Sequence, residues 1–172
     1  MTRYRIVPER SHMIFDGRSS LHPVHASSDG VEGYVELEMD AGGEVDLAKK
    51  PTGRLSLAVA RLSSGNVLED RELQRRLDAR RYPTIEGVMG QMDRSGGGGG
   101  TYRVSGEVTV RGVACRHEDE MTIRVVDPNT IALSGQSRFD IREFGMVPPR
   151  MLMLKVEPDV DIRIEILAEK EV

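Results

Sequence analysis

The chain has 172 residues, and its 24 lysines and arginines against 28 aspartates and glutamates give a formal net charge of −4. This length suits one hydrophobic core, so we expect residues 1–172 to form a single domain. The mildly acidic balance excludes the basic field that nucleic acids and anionic membranes attract, so we expect no nucleic-acid partner and no stable membrane insertion.

The start of the chain and its cysteine content bear on location. Residues 1–7 alternate like a strand and lack the apolar run of a secretory signal, so a cytoplasmic location is expected. Cys115 is the only cysteine, which excludes an intrachain disulfide, and it lies in no metal-binding or catalytic pattern. We interpret it as an ordinary strand residue and expect no cofactor.

Apolar and polar residues alternate along most of the chain, which is typical of strands with one buried and one solvent-facing side. Clear alternation predicts strands at residues 31–39, 54–59, 102–111, 120–125, 131–139 and 160–167, and weaker alternation predicts them at 4–7, 13–17 and 84–92. Glycine- and proline-containing turns separate these segments, including one at 157–159. The five glycines at 96–100 predict a mobile hairpin tip and not a phosphate-binding loop.

One segment departs from the strand pattern. Residues 66–77 are rich in helix-forming residues and place Leu73 and Leu77 four apart, which predicts a short helix capped by Ser64 or Asn66. The helix must end before Pro83, because proline disfavours the helical conformation in the residue that precedes it. Many short strands, short connections and one helix predict an all-β fold, a closed antiparallel barrel of about eight strands, since closure removes exposed strand edges.

Four groups of residues carry a family pattern in chain order. They are Tyr4-Arg5-Ile6-Val7-Pro8 with Ser11, Met13 and Phe15; Ser64-Gly65-Asn66 with Asp70, Leu73 and Tyr82-Pro83-Thr84-Ile85; residues 104–113; and Phe144-Gly145. Together they resemble the YceI-like family over nearly the whole chain. The resemblance implies a lipocalin-like barrel that binds polyisoprenoids or other long amphiphiles. Arg10 stands where the family has a histidine, and Gly87 where it usually has an aromatic residue.

The scarcity of large aromatic residues is compatible with a solid core of small residues or with a cavity inside the barrel, and the family resemblance favours the cavity. With 0 tryptophans, 3 phenylalanines and 4 tyrosines, much of the inward face must come from glycine, alanine, valine and methionine. Methionine adapts to irregular ligands. The residues expected to bind the ligand are Met13, Phe15, Leu57, Met89, Met121, Ile123, Phe139, Arg142, Phe144, Met146, Met151, Met153 and Ile164.

Polar groups leave other functions open. Arg138, Asp140, Arg142 and Glu143 predict either a head-group anchor at the barrel mouth or a solvated, salt-bridged corner. His22 and His25 lack a third ligand nearby, so no metal is expected.

Barrel architecture and the absence of a catalytic motif favour a non-catalytic carrier or sequestering protein for a long apolar or amphiphilic molecule. One alternative is an enzyme that acts on a hydrophobic substrate with Arg142, Asp140 or a histidine as acid or base. The other is a stress or scaffold protein with a solid interior. The expected partner is therefore an apolar or amphiphilic small molecule, and a homodimer is left open.

Overall fold

The computed structural model describes residues 1–21, 23–148, 150–151 and 154–172, with the backbone alone at 150, 151 and 154. The elements within these residues are β1 (Thr2–Ile6), β2 (His12–Ser19), β3 (Pro23–Asp29), β4 (Glu32–Leu37), β5 (Thr52–Ala58), α1 (Val67–Arg76), β6 (Thr84–Arg94), β7 (Thr101–Val110), β8 (Val113–Asp127), β9 (Thr130–Asp140), β10 (Arg150–Met151) and β11 (Leu154–Lys170). Short 3-10 helices occur at Pro8–Arg10, Leu47–Lys49, Val59–Arg61 and Ile141–Phe144. No helix among the described residues is long and apolar enough to cross a membrane.

Eight antiparallel strands close into a barrel. Their order is β1, β4, β5, β6, β7, β8, β9 and β11, and pairing of β11 with β1 closes the circle. The strands β2 and β3 are additional, because β2 pairs with the earlier part of β11 and β3 pairs with β2. The predicted all-β, eight-stranded antiparallel barrel with one short helix is therefore confirmed.

Hairpin geometry follows from local turn residues. Between β7 and β8, Arg111 and Gly112 both have positive φ, 51° and 73°, and Val110 pairs with Val113. Two consecutive positive φ angles define a type I′ turn, whose twist matches that of the paired strands. Residues 96–100 lie between β6 and β7, so the prediction that they form a hairpin tip is confirmed.

One predicted turn is wrong, and one strand lies where the sequence predicts none. The predicted turn at residues 157–159 lies inside β11, where Pro158 removes one donor and the pairing with β2 shifts register between Val156 and Val160. The strand β3 was not predicted, because proline, small and polar residues give it little apolar alternation.

The helix α1 has the predicted cap. The side chain of Asn66 accepts hydrogen bonds from the backbone N–H groups of Leu68 and Glu69 at 2.9 and 3.3 Å. Leu77, at the C-terminal cap, is buried, and Leu73 packs against the core from the same side of the helix. The helix is therefore held by its four-residue apolar spacing, as the sequence predicts.

The interior of the barrel is packed tightly at one end. Leu37, Val45, Tyr102, Ile123 and Ile131 are each at most 2% exposed. The Tyr102 hydroxyl accepts a hydrogen bond from the Val45 N–H at 2.8 Å, which satisfies a buried backbone donor. Towards the other end the inward side chains are only partly buried, because they face a cavity.

Candidate ligand-binding cavity

The open half of the barrel encloses a cavity of about 430 Å³. Inward residues of the barrel strands and of β2 and β3 form most of its wall, and α1 with its C-terminal cap adds Glu69, Glu72, Leu73, Arg76 and Leu77. The volume lies within the range of about 300–1,000 Å³ that small-molecule sites occupy. The interior is therefore not packed solid, which removes the premise of the scaffold alternative.

Strand register arranges the wall in rows, because paired antiparallel residues project from the same face. From the packed end outward, the rows are Ile166, Leu133 and Ile123; Met13, Ile164, Gly135 and Met121; Phe15, Ile162 and Ser137; and Gly17, Val160 and Phe139. The first row is buried and forms the floor, while the side chains of the next two rows are largely half-buried. The change from packed core to cavity therefore takes place between two successive rows.

Glycines provide part of this space. Gly17, Gly53, Gly87 and Gly106 all lie in the cavity wall. A Cβ atom at Gly87 would lie 3.3 Å from Leu55 Cγ, so any side chain there would compete with Leu55 for the same volume. Gly87, which departs from the family pattern, thus keeps the cavity wide at β6.

Eight of the residues predicted to bind the ligand line the cavity. They are Met13, Phe15, Met89, Met121, Phe139, Phe144, Met146 and Ile164. Six of them lie on the five strands β2, β6, β8, β9 and β11, whose alternation points them inward, while Phe144 lies in the 3-10 helix after β9 and Met146 follows that helix. Their contact with a ligand stays a prediction.

The other predicted positions lie elsewhere. Leu57 and Ile123 are buried in the packed core, where neighbouring side chains fill the space that a ligand would need. Arg142 is exposed and lies outside the cavity wall. The side chain of Met151 and the whole of Met153 lie outside the described residues.

The acidic and basic residues at the end of β9 and just after it form a salt-bridged corner with β11. Arg142 Nη2 lies 2.6 Å from Asp140 Oδ2, and Arg138 Nε lies 2.7 Å from Asp161 Oδ1. Hydrogen bonds from the Arg142 side chain and backbone hold the pKa of Asp140 below its usual value. Since neither Asp140 nor Arg142 lines the cavity, this corner offers no acid or base to a substrate inside it.

A polar cluster interrupts the apolar wall. The His117 Nε2 atom lies 3.0 Å from Asp119 Oδ1 and 2.7 Å from Ser137 Oγ, and all three residues line the cavity. The His117 ring stacks on Phe139 with centroids 3.9 Å apart and planes 19° apart. Two independent contacts therefore fix the orientation of the ring.

This cluster is not a Ser-His-Asp catalytic triad. In a triad the carboxylate and the hydroxyl contact different ring nitrogens. The carboxylate orients the imidazole ring through one nitrogen, and the serine hydroxyl gives its proton to the other. Here both oxygens contact Nε2, and Nδ1 has no hydrogen-bond partner among the described residues. The arrangement suits hydrogen bonding better than activation of a nucleophile.

Of the two histidines considered as metal ligands, only His25 lies among the described residues. His25 Nδ1 contacts Asp16 Oδ1 at the exposed β2–β3 ladder, and His22 lies outside the described residues. Across the described part of the chain, no three His, Cys, Asp or Glu side chains are grouped so that they could hold a metal ion.

The sequence did not single out His117, Asp119 and Ser137 as a site. His117 and Asp119 could have been identified from their positions in β8. They stand four and two residues before Met121, so they share its inward face. Ser137 stands two residues before Phe139 on the inward face of β9 in the same way. Their proximity comes from the pairing of β8 with β9, which alternation alone does not specify.

The chain matches a known protein family, and solved structures share its fold. A family model described as YceI-like domain matches residues 4–168. No curated protein sequence matches the chain.

Three solved structures share the fold at low sequence identity. BcnA from Burkholderia cenocepacia is 15% identical with a TM-score of 0.76, over 94% of this chain and 98% of that one. A polyisoprenoid-binding domain from Saccharophagus degradans, implicated in plant cell wall breakdown, is 11% identical with a TM-score of 0.77, over 98% of each chain. The YceI protein of Campylobacter jejuni is 16% identical with a TM-score of 0.68, over 89% of this chain and 88% of that one.

Proposed function

The chain belongs to the YceI-like family, and on that premise we propose that it binds one long-chain apolar or amphiphilic molecule, polyisoprenoid-like or lipid-like, inside its barrel. We infer a non-catalytic carrier or sequestering role. The observation that carries the proposal is the apolar cavity of about 430 Å³ above a tightly packed floor. A domain of the same fold is described as polyisoprenoid-binding, which supports the same class of ligand.

The energetics are sufficient for such a ligand. Burial of one methylene group contributes about 0.8 kcal/mol, so ten of them would contribute about 8 kcal/mol before ordering costs. A binding free energy of about 8 kcal/mol corresponds to roughly micromolar affinity. Flexible side chains such as Met13, Met89 and Met121 can adjust to a chain with several kinks.

Two tryptophan substitutions on one face of β8 test the proposal. Met121 lines the cavity, while Ile123, two residues further along the same face, is 2% exposed in the packed floor. Met121→Trp should occupy ligand space and weaken binding of an uncharged fluorescent long-chain lipid by about tenfold or more, with little change in the free energy of unfolding. Ile123→Trp should overpack the core and cost roughly 1–3 kcal/mol of stability or more.

Urea unfolding and probe titration on the wild type and both variants give these quantities. The natural chain has 0 tryptophans, so each new indole is a single fluorescent reporter of its own surroundings. A wild type that binds no apolar probe, or a Met121→Trp protein as unstable as Ile123→Trp, would contradict the proposal.

The cytoplasmic location, the homodimer and the absence of nucleic-acid partners stay predictions. They do not affect the binding test, which uses the purified chain alone.

A further inference from the structure

We propose that His117, Asp119 and Ser137 form a hydrogen-bonding site for an uncharged hydroxyl group, so that the preferred ligand is a long-chain alcohol and not a carboxylate or phosphate. This inference rests on the proposed function, because it names the head group of the same cavity ligand.

The site lies in the cavity wall, with Ser137 in the third of the four rows counted from the packed floor. Ser137 belongs to the row of Phe15 and Ile162, and Asp119 pairs with Val104, another wall residue. The next row towards the packed floor consists of apolar residues and Gly135. A polar group placed beside this cluster is therefore surrounded by apolar wall, where an unsatisfied polar atom is costly.

The contacts of Nε2 determine what the cluster offers to a ligand. A carboxylate oxygen can only accept a hydrogen bond, so the 3.0 Å contact with Asp119 Oδ1 requires a hydrogen on His117 Nε2. The same N–H can be shared with Ser137 Oγ at 2.7 Å, which then keeps its own hydrogen for another acceptor. The cluster thus presents one donor, the Ser137 hydroxyl, and one acceptor, the Asp119 carboxylate.

A hydroxyl group matches this pair because it accepts and donates at one oxygen atom. An anionic head group does not, since it would face the Asp119 carboxylate. His117 is the only partner of Asp119 in an ion pair among the described residues, and no lysine or arginine there lies within 4.0 Å of its carboxylate. Like charges in an apolar site repel strongly, because the local dielectric is low.

An anionic head group would bind at a different position, beside arginines of α1 and of the turn between β7 and β8. Arg75, Arg76 and Arg111 line a shallow depression of about 170 Å³, and this depression shares Arg76 and Met146 with the cavity wall. A phosphate-headed molecule would place its head there and only its tail inside. The charge of the head group therefore distinguishes the two sites.

Three probes with one tail test the assignment: geranylgeraniol, its methyl ether and its monophosphate. The ether keeps the acceptor oxygen but lacks the donor, and the phosphate is anionic. We expect the wild type to bind the alcohol about fivefold or more tightly than the ether, the size of one neutral hydrogen bond. We also expect the phosphate to bind more weakly than the alcohol.

Two variants and one control locate the effect. Ser137→Ala should weaken binding of the alcohol by about fivefold, and Asp119→Asn should improve binding of the phosphate relative to the alcohol, because the repulsion is removed. Ser134→Ala changes an exposed serine of the same strand and should alter none of the affinities. The corresponding hydrocarbon, which has the same tail and no oxygen, should bind the wild type and each variant with equal affinity, and this control shows that the cavity is intact.

The outcomes separate this inference from the function on which it rests. If none of the three probes binds the wild type, the proposed function fails. If all three bind with equal affinity and Ser137→Ala changes nothing, only the head-group assignment is overturned. Tighter binding of the phosphate, weakened by Arg76→Gln, would place the head group at the arginine depression.

Discussion

Two glycines in the loop between β6 and β7 have equally open surroundings and different backbone conformations. No atom lies within 4 Å of the place where a Cβ atom would stand at Gly96 or Gly98. Gly98 has φ +104°, a conformation that residues with a side chain rarely adopt, whereas Gly96 lies outside that region. Backbone conformation alone therefore decides how each position responds to alanine.

We expect Gly96→Ala to stabilise the protein by about 0.4–1 kcal/mol, because it reduces the entropy of the unfolded chain without strain. Gly98→Ala should destabilise it by about 1–3 kcal/mol, the cost of holding alanine at that φ. Urea midpoints of both variants check the pair, and the reverse order of stability would show that the loop has a different conformation in solution.

Single residues also show where sequence analysis reached its limit. Met121 and Ile123 are both apolar, both on the inward face of β8, and the sequence assigns them the same role. Their difference arises because Ile123 pairs with Leu133 in the packed floor, whereas Met121 pairs with Gly135, which contributes no side chain to fill the space. The residue opposite on the neighbouring strand determines whether an inward side chain lies in the packed core or faces the cavity. The sequence of a single strand does not identify that opposite residue.

At the level of elements, α1 was predictable because its signals are local. Asn66, four-residue apolar spacing and Pro83 all act within the segment itself. The edge strand β3 was missed because its pairing with β2 and the mutual backbone hydrogen bonds of Ser27 with Ser63, each 2.9 Å, hold it without apolar alternation. Sequence patterns therefore predict an element such as α1, whose own residues determine it, but not one such as β3, which is held by pairing with other segments.

The entry to α1 is held by a charged acceptor. Asp70 Oδ1 accepts hydrogen bonds from the Ser64 backbone N–H at 2.7 Å and from the Ser64 hydroxyl at 2.6 Å, and these lower the pKa of Asp70. A carboxyl group with a lowered pKa in the folded state stabilises the fold above its unfolded pKa and loses this effect as the pH falls through its folded pKa.

Asp70→Asn should therefore destabilise the protein at neutral pH, and the difference from the wild type should shrink as the pH falls below about 4, the ordinary aspartate value. Urea unfolding of both proteins at a series of pH values checks this. Ser64→Ala removes one donor and should reduce the pH dependence, while a difference that stays constant down to the lowest pH would contradict the assignment.

At the level of the whole molecule, the barrel closes where β11 exchanges one neighbour for another. The same edge of β11 pairs with β2 up to Glu165 and with β1 from Ala168 onward. Between these two pairings, Leu167 has no strand partner on that edge. The side chain of Ser11 takes the place of a strand partner. Its hydroxyl accepts a hydrogen bond from the Leu167 N–H at 3.1 Å and donates one to the Leu167 carbonyl at 3.2 Å.

The sequence identifies Ser11 as part of a family pattern but does not indicate this role, which depends on two segments 156 residues apart. Ser11 is 2% exposed, so water cannot replace its hydroxyl. The Leu167 carbonyl would keep the Val7 N–H at 2.8 Å as its donor, but the Leu167 N–H would have none. A single side chain therefore completes the hydrogen bonding of the closed barrel.

Ser11→Ala should cost about 1–3 kcal/mol, the penalty for a buried donor without a partner. Ser28→Ala is the matched control, because Ser28 is also buried and, among the described residues, its hydroxyl donates to the neighbouring Asp29 carbonyl and accepts from no N–H group. That control should cost about 0.5–1.5 kcal/mol. Urea unfolding measures both, and hydrogen exchange at Leu167 should accelerate in Ser11→Ala alone. If the two variants are equally stable and the Leu167 amide exchanges at the same rate in both, closure does not depend on Ser11, and the backbone pairing of β11 on either side of the gap is sufficient.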